Sequence, residues 1–156
     1  MIAVVQRVNN AKVIADGELS GEIGTRLYIL LGVEKNDTTN DVLALVKKIL
    51  KLRIFSDSNG KMNLSVTDVK GEILSVSNFT LCANYSHGNR PDYFSAESSE
   101  KARALYHYFN NEISKRAIKC EAGVFGADME TIMSTDGPVT IVMDSYFLLR
   151  KERKHI

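Results

Sequence analysis

Two short stretches hold the side chains that could do chemistry. In "SNFTLCA" (77–83), Ser77, Asn78 and Thr80 interrupt a run that otherwise reads as a buried strand. Polar groups in such a place need partners or a function. One reading puts them on an exposed face or bonds them to neighbouring backbone. The other makes this a strand end that offers N–H groups and a hydroxyl to a ligand carbonyl. That is oxyanion-type stabilisation, which requires no ionisable side chain. The second stretch is "STDGPVT" (134–140). Asp136-Gly137 is a turn signal, and Pro138 cannot donate a ladder hydrogen bond, so an edge, bend or bulge is implied. By sequence physics alone it is a tight turn with a trans proline.

Other chemistries leave no trace. The chain has no GxSxG, no HExxH and no phosphate-cradling glycine loop. Of its three histidines, His107 sits beside Tyr106 and Tyr108 in a helical stretch, His155 lies in a basic tail, and His87 has no second ligand nearby. Neither a metal site nor a Ser–His–Asp set is signalled, and no cofactor is expected. Cys82 and Cys120 lack CxxC spacing and read as free thiols of a reducing compartment. A net charge of +1 argues against a surface that wraps duplex nucleic acid, so any RNA contact should be small and local. "MIAVVQRV" is no signal peptide, and "LYILLGV" (27–33) is too short to span a bilayer. The expected location is cytoplasmic.

These stretches need a scaffold, and at 156 residues a single domain is the default. "MIAVVQRV" (1–8) reads as a strand, and 11–24 as a hairpin with turn signals at Asp16-Gly17 and Ser20-Gly21. "RLYILLGV" (26–33) suits a strand buried on both faces. Asp37 and Thr38 offer caps to a helix with a stripe of Val42, Leu45, Val46, Ile49 and Leu50, and "SDSNGK" (56–61) is a loop. "EILSVSNFTL" (72–81) alternates as a strand, and 82–96 is a long irregular connection of the kind that often carries function. Residues 96–116 form a second amphipathic helix, with Ser95, Ser98 or Ser99 as cap. Strands over 117–126, 129–134 and 139–145 complete the domain. The fold class is α+β: a curved, β-barrel-like sheet with two flanking helices. The domain covers 1–150, and 151–156 is a basic tail, either solvated or touching phosphate.

"SNFTL", "GNRPDYFSA", "GVFGADM" and "DGPVT", in this order, together with "VVQRV" and "LGVEKNDT", closely resemble the D-aminoacyl-tRNA deacylase (D-tyrosyl-tRNA deacylase) family. The resemblance runs from about Met1 to Asp144. It implies a homodimer of that family's barrel-like fold that hydrolyses the ester of a D-amino acid, or of glycine mischarged on tRNA-Ala, at the tRNA 3′ end. It implies that Gly137-Pro138 is cis and reaches into the partner's site, where its carbonyl oxygens face the substrate Cα and ammonium. An L side chain would collide there, which gives proofreading by exclusion.

Thr80, Phe79 and Ser77 are then the catalytic candidates. Asn78, Gly137, Pro138, Met129 and Phe125 are the substrate-binding ones, with Phe79 and Met129 as walls for the terminal adenine. Two roles stay open for Thr80: nucleophile, or oxyanion donor with the backbone N–H groups while the ribose 2′-OH assists water. The second is preferred, since no activating base is evident. The chain departs from the family pattern at Asn78, where Gln is usual, and at Thr135, where Asn is common. Competing readings are a non-catalytic module that binds tRNA ends or a translation factor, and a small-ester hydrolase using Thr80 or Ser77.

Overall fold

The computed structural model describes residues 1–152. β1 (Ile2–Ala15) turns at Asp16 and Gly17, both at positive φ as a type I′ turn requires, into β2 (Glu18–Ile23). β3 (Arg26–Gly32) follows after two residues. β2 and β3 therefore run nearly end to end along β1, with Ala11 opposite Ile23 and Val8 opposite Arg26. β6 (Glu72–Ser77) lies parallel to β3, and β7 (Lys119–Ala122) parallel to β6. Ser20 Oγ donates to Ala122 O at 2.8 Å, which links β2 to β7 and brings the sheet close to a barrel. β4 (Phe55–Ser56) and β5 (Met62–Leu64) form a small separate hairpin around the expected 56–61 loop.

α1 (Thr39–Leu50) has the expected stripe buried, and Thr38 caps it. The Thr38 hydroxyl accepts from Asn40 N at 3.3 Å, and Asp41 Oδ2 accepts from Thr38 N at 2.9 Å. α2 (Ser99–Ser114) lies within the predicted span; Ser98 is its N-cap by position and makes no side-chain cap bond. The central strands feed two cores. Leu27, Ile29, Leu31 and Ile73 pack towards the helices, while Tyr28, Leu74 and Val76 fill the barrel with Val8 and Val13. A strand buried on both faces must read as an unbroken apolar run, as β3 does.

Several expectations change. The strands expected at 1–8 and from 11 onward are one strand, β1; Ser20-Gly21 lies within β2 and makes no turn; and of 117–126 only Lys119–Ala122 is strand. β6 stops at Ser77, and Phe79–Cys82 form a 3-10 turn in place of the strand expected to 81. Asn78 caps that turn through its own side chain, and such a local bond competes with the sheet ladder. The strands expected at 129–134 and 139–145 are one strand, β8 (Met129–Asp144), antiparallel to β1 on both sides of a bulge. A third helix, α3 (Ser145–Glu152), follows, so two flanking helices become three. Asp144 Oδ1 accepts from Tyr146 N at 2.9 Å at its start. Ser145, fully buried, joins the Met1 ammonium (2.9 Å) to Asp41 Oδ1 (2.8 Å). α3 overruns the expected boundary at 150, and residues 153–156 of the expected tail lie outside the described residues. No helix among the described residues is long and apolar enough to cross a membrane.

Candidate active site

At the end of β6 the chain leaves the sheet over a cavity of about 490 Å³, within the size range of small-molecule sites. Ser77, Asn78 and Phe79 form one wall. Phe125 and Met129 form another, and Tyr93, Glu97 and Ser99 the third. β6 is held in place from below. The Tyr106 hydroxyl, buried on α2, lies 2.9 Å from Ser75 O and 3.0 Å from Gly123 O, tying the strand to the segment that carries Phe125. Burial pushes the Tyr106 phenol up, so it stays a donor. Gly123 leaves room for Met129: a Cβ there would stand 2.7 Å from Met129 Sδ and 3.3 Å from Val76, and the thioether would have to shift.

The aromatic side chains are placed in pairs. Phe79, 60% exposed, meets Tyr93 edge-on at 5.0 Å between ring centres. Phe125 stands 6.0 Å from Tyr106, with the Arg103 guanidinium 5.3 Å above its ring. Met129 also packs against the barrel core, so the core and pocket readings of that residue both hold. The irregular loop is pinned by two backbone bonds of 2.9 Å between Asn84 and Asp92, which set Tyr93 in the wall.

Titratable groups are scarce here. Glu97 is the carboxylate among the described lining residues, and its bond to Lys101 at 2.8 Å is the main force holding its carboxyl down to about 2. No histidine or cysteine lines the cavity among the described residues. Burial raises the Cys82 thiol to about 11 and the Cys120 thiol to about 12, so neither is a thiolate at neutral pH. Among the described residues no group of three His, Cys, Asp or Glu side chains is placed to hold a metal ion.

Thr80 stands at the turn beside this wall. Its backbone N–H reaches Asn78 Oδ1 at 3.2 Å and its hydroxyl at 2.5 Å. The structure thus gathers Ser77, Asn78, Phe79, Phe125 and Met129 around one cavity, with Thr80 adjacent. Gly137 and Pro138 are not among the residues that line it. The β1–β8 register passes from Gln6 opposite Thr140 to Val8 opposite Thr135, so two steps on β1 face five on β8 and Asp136–Val139 are extruded as a bulge. The Gly137–Pro138 bond within it is cis. The sequence pattern missed Tyr93, Glu97, Ser99 and the bracing role of Tyr106. The aromatic content of "PDYF" was the one signal that could have pointed to Tyr93.

The model of the family described as D-Tyr-tRNA(Tyr) deacylase matches residues 4–144. A D-aminoacyl-tRNA deacylase of Thermosipho melanesiensis is 53% identical over 146 residues, covering 93% of this chain and 97% of the relative. One of Persephonella marina is 52% identical, covering 93% and 98%. Among solved structures, a c-Myc DNA unwinding element binding protein aligns with a TM-score of 0.86 and 40% identity, covering 92% of this chain and 98% of that one. A probable eukaryotic D-amino acid tRNA deacylase shares the fold, with a TM-score of 0.77 at 15% identity over 92% and 98% of the two chains.

Proposed function

Because the chain belongs to the D-Tyr-tRNA(Tyr) deacylase family, and is a hydrolase of the ester bond in D-aminoacyl-tRNA, we propose that it works by main-chain electrostatics and selects by exclusion. The observation that carries this reading is a pocket whose described walls hold one ion-paired carboxylate and no histidine or cysteine, next to a turn where the Thr80 N–H and hydroxyl converge on the side-chain oxygen of Asn78. Water adds to the ester carbonyl and passes a proton to the departing 3′ oxygen, with the ribose 2′-OH assisting. The negative oxygen that forms is held by the N–H groups of Phe79 and Thr80 and the Thr80 hydroxyl. Phe79, Phe125 and Met129 enclose the terminal adenine, where stacking is worth about 1–3 kcal/mol, and Ser77 lines the reacting end. An aminoacyl ester is already activated, so positioning and modest stabilisation suffice.

Gly137 and Pro138 act on a second copy. Met129 lines the pocket, and Gly137 lies eight residues further along the same strand, beyond a contour of roughly 25 Å at about 3.3 Å per residue. Neither Gly137 nor Pro138 lines the pocket of its own chain, which supports a homodimer with the site shared across the interface. The exposure of Ile132, Met133 and Val142 on this long strand supports it further. Carbonyl oxygens of Gly137 and Pro138 facing the substrate Cα reject an L side chain and pass a D side chain, or the hydrogens of a glycyl ester on tRNA-Ala. The work is translation quality control in the cytoplasm, with aminoacylated tRNA as partner and no metal or cofactor required.

Deacylation of D- and L-tyrosyl-tRNA by the purified protein is the test. Turnover of the D-ester alone is expected. Binding of tRNA without turnover would instead favour a non-catalytic module, and cleavage of small esters without tRNA a general hydrolase. Thr80→Ala should slow the reaction by about 100-fold, the usual loss for one oxyanion donor; complete inactivity would restore the hydroxyl as nucleophile.

A further inference from the structure

Asn78 does more than close the turn. Its Oδ1 accepts both the backbone N–H of Thr80 (3.2 Å) and the Thr80 hydroxyl (2.5 Å). Two donors converging on one oxygen is the arrangement that a tetrahedral oxyanion requires, and Asn78 lines the pocket where that oxyanion would form. We infer that the Asn78 carboxamide oxygen is the resident occupant of the oxyanion position, displaced as the ester carbonyl becomes tetrahedral. This rests on the reading of the site proposed above.

The chemistry of the three competing oxygens sets the outcome. A neutral amide oxygen is a better acceptor than an ester carbonyl, and a far weaker one than an oxyanion. Against the bound ester, Asn78 keeps the Thr80 donors; against the developing negative charge it loses them. The donors are withheld from the bound ester and released only to the transition state, so they add nothing to ester binding, and the transition state gains them less the bonds that Asn78 gives up. The exchange needs only a side-chain rotation at an exposed contact, a motion of picoseconds to nanoseconds. The same contact explains why Thr80 is not activated: its proton points at an amide oxygen, which is no base at neutral pH.

Steady-state deacylation of D-tyrosyl-tRNA by the wild type, Asn78→Ala and Asn78→Asp tests the inference. Removing the occupant should raise kcat/KM about fivefold through a lower KM, the factor that one neutral hydrogen bond carries. The aspartate variant keeps the cap, since Asp and Asn cap equally well, so it remains decisive if the alanine variant unfolds. Its carboxylate holds both donors more tightly and repels the oxyanion. It should lose about 100-fold at pH 8 and recover relative to the wild type as the pH falls and the carboxylate protonates. A lower kcat at unchanged KM in Asn78→Ala would make Asn78 a positioning residue for Thr80 and overturn the inference. An Asn78→Asp enzyme as active as the wild type at pH 8 would overturn it too. A wild type inactive on D-tyrosyl-tRNA would remove the site reading itself, and the inference with it.

Discussion

Met129 and Gly137 belong to one strand, yet its start and its middle are built on opposite plans. Around Met129 the chain is braced from within: the buried Tyr106 hydroxyl joins Ser75 O to Gly123 O, and Gly123 leaves room for the Met129 sulfur. Around Gly137 it is thrown outward from an edge, with Asp136 held by Arg7 alone among the described ion pairs. Arg7 Nε stands 2.8 Å from Asp136 Oδ2, out of line for a hydrogen bond, while Nη1 donates to Ile54 O at 2.6 Å. A reactive pocket gains from rigidity, because donors must stand ready before charge develops. A steric gate needs only correct placement against another surface. Rate should therefore depend on the braced region and enantiomer choice on the extruded one.

The largest test of that division is Gly137→Ala. At φ +120° an L side chain is strained, and its Cβ would meet Val139 N and Cγ2, each at 2.9 Å. The bulge must move, and the D-over-L ratio of kcat/KM on tyrosyl-tRNA should fall by about 100-fold, the effect of a displacement near 1 Å. An unchanged ratio would place the gate elsewhere.

Tyr106→Phe tests the other region. It leaves Gly123 O short of a donor and should cost about 1–3 kcal/mol of stability in a denaturant titration. Turnover of D-esters should slow while the D-over-L ratio stays at the wild-type value. A changed ratio would break the division.

Arg7→Met keeps the apolar stem and releases Asp136. The ratio should drop only about two- to fivefold, as fits an ion pair worth up to about 1 kcal/mol, with little change in D-ester turnover. The smallest effect is expected from Glu97→Gln on the pocket rim. The carboxyl of Glu97 is depressed when folded, so its contribution is present above the ordinary carboxylate range and lost as pH falls through about 2. The difference in melting temperature between wild type and variant should shrink over that window, with the ratio unaffected.

The framework was readable where local rules decide. The α1 stripe and the Thr38 cap, the Asp16-Gly17 turn and the doubly buried β3 all follow from periodicity and turn chemistry. The site was readable only in part. Thr80 and Phe79 were assigned to a strand and stand in a capped turn, because a strand and a capped turn differ here by one side-chain bond, that of Asn78. The continuity of β8 was hidden because a bulge within a strand and a turn between strands share the same residues. Tyr93 and Glu97 reach the pocket through a loop closed by the Asn84–Asp92 pairing. No local pattern in the sequence encodes that pairing.

The eight-residue separation of pocket and bulge along β8 has a consequence for inheritance. In the proposed dimer each working site takes its pocket from one chain and its gate from the other. A subunit damaged only in its pocket and one damaged only at Gly137 would, when paired, assemble one wholly defective site and one wholly sound site. Two alleles, each unable to proofread alone, should therefore rescue each other when expressed together. Two alleles damaged in the same region should not.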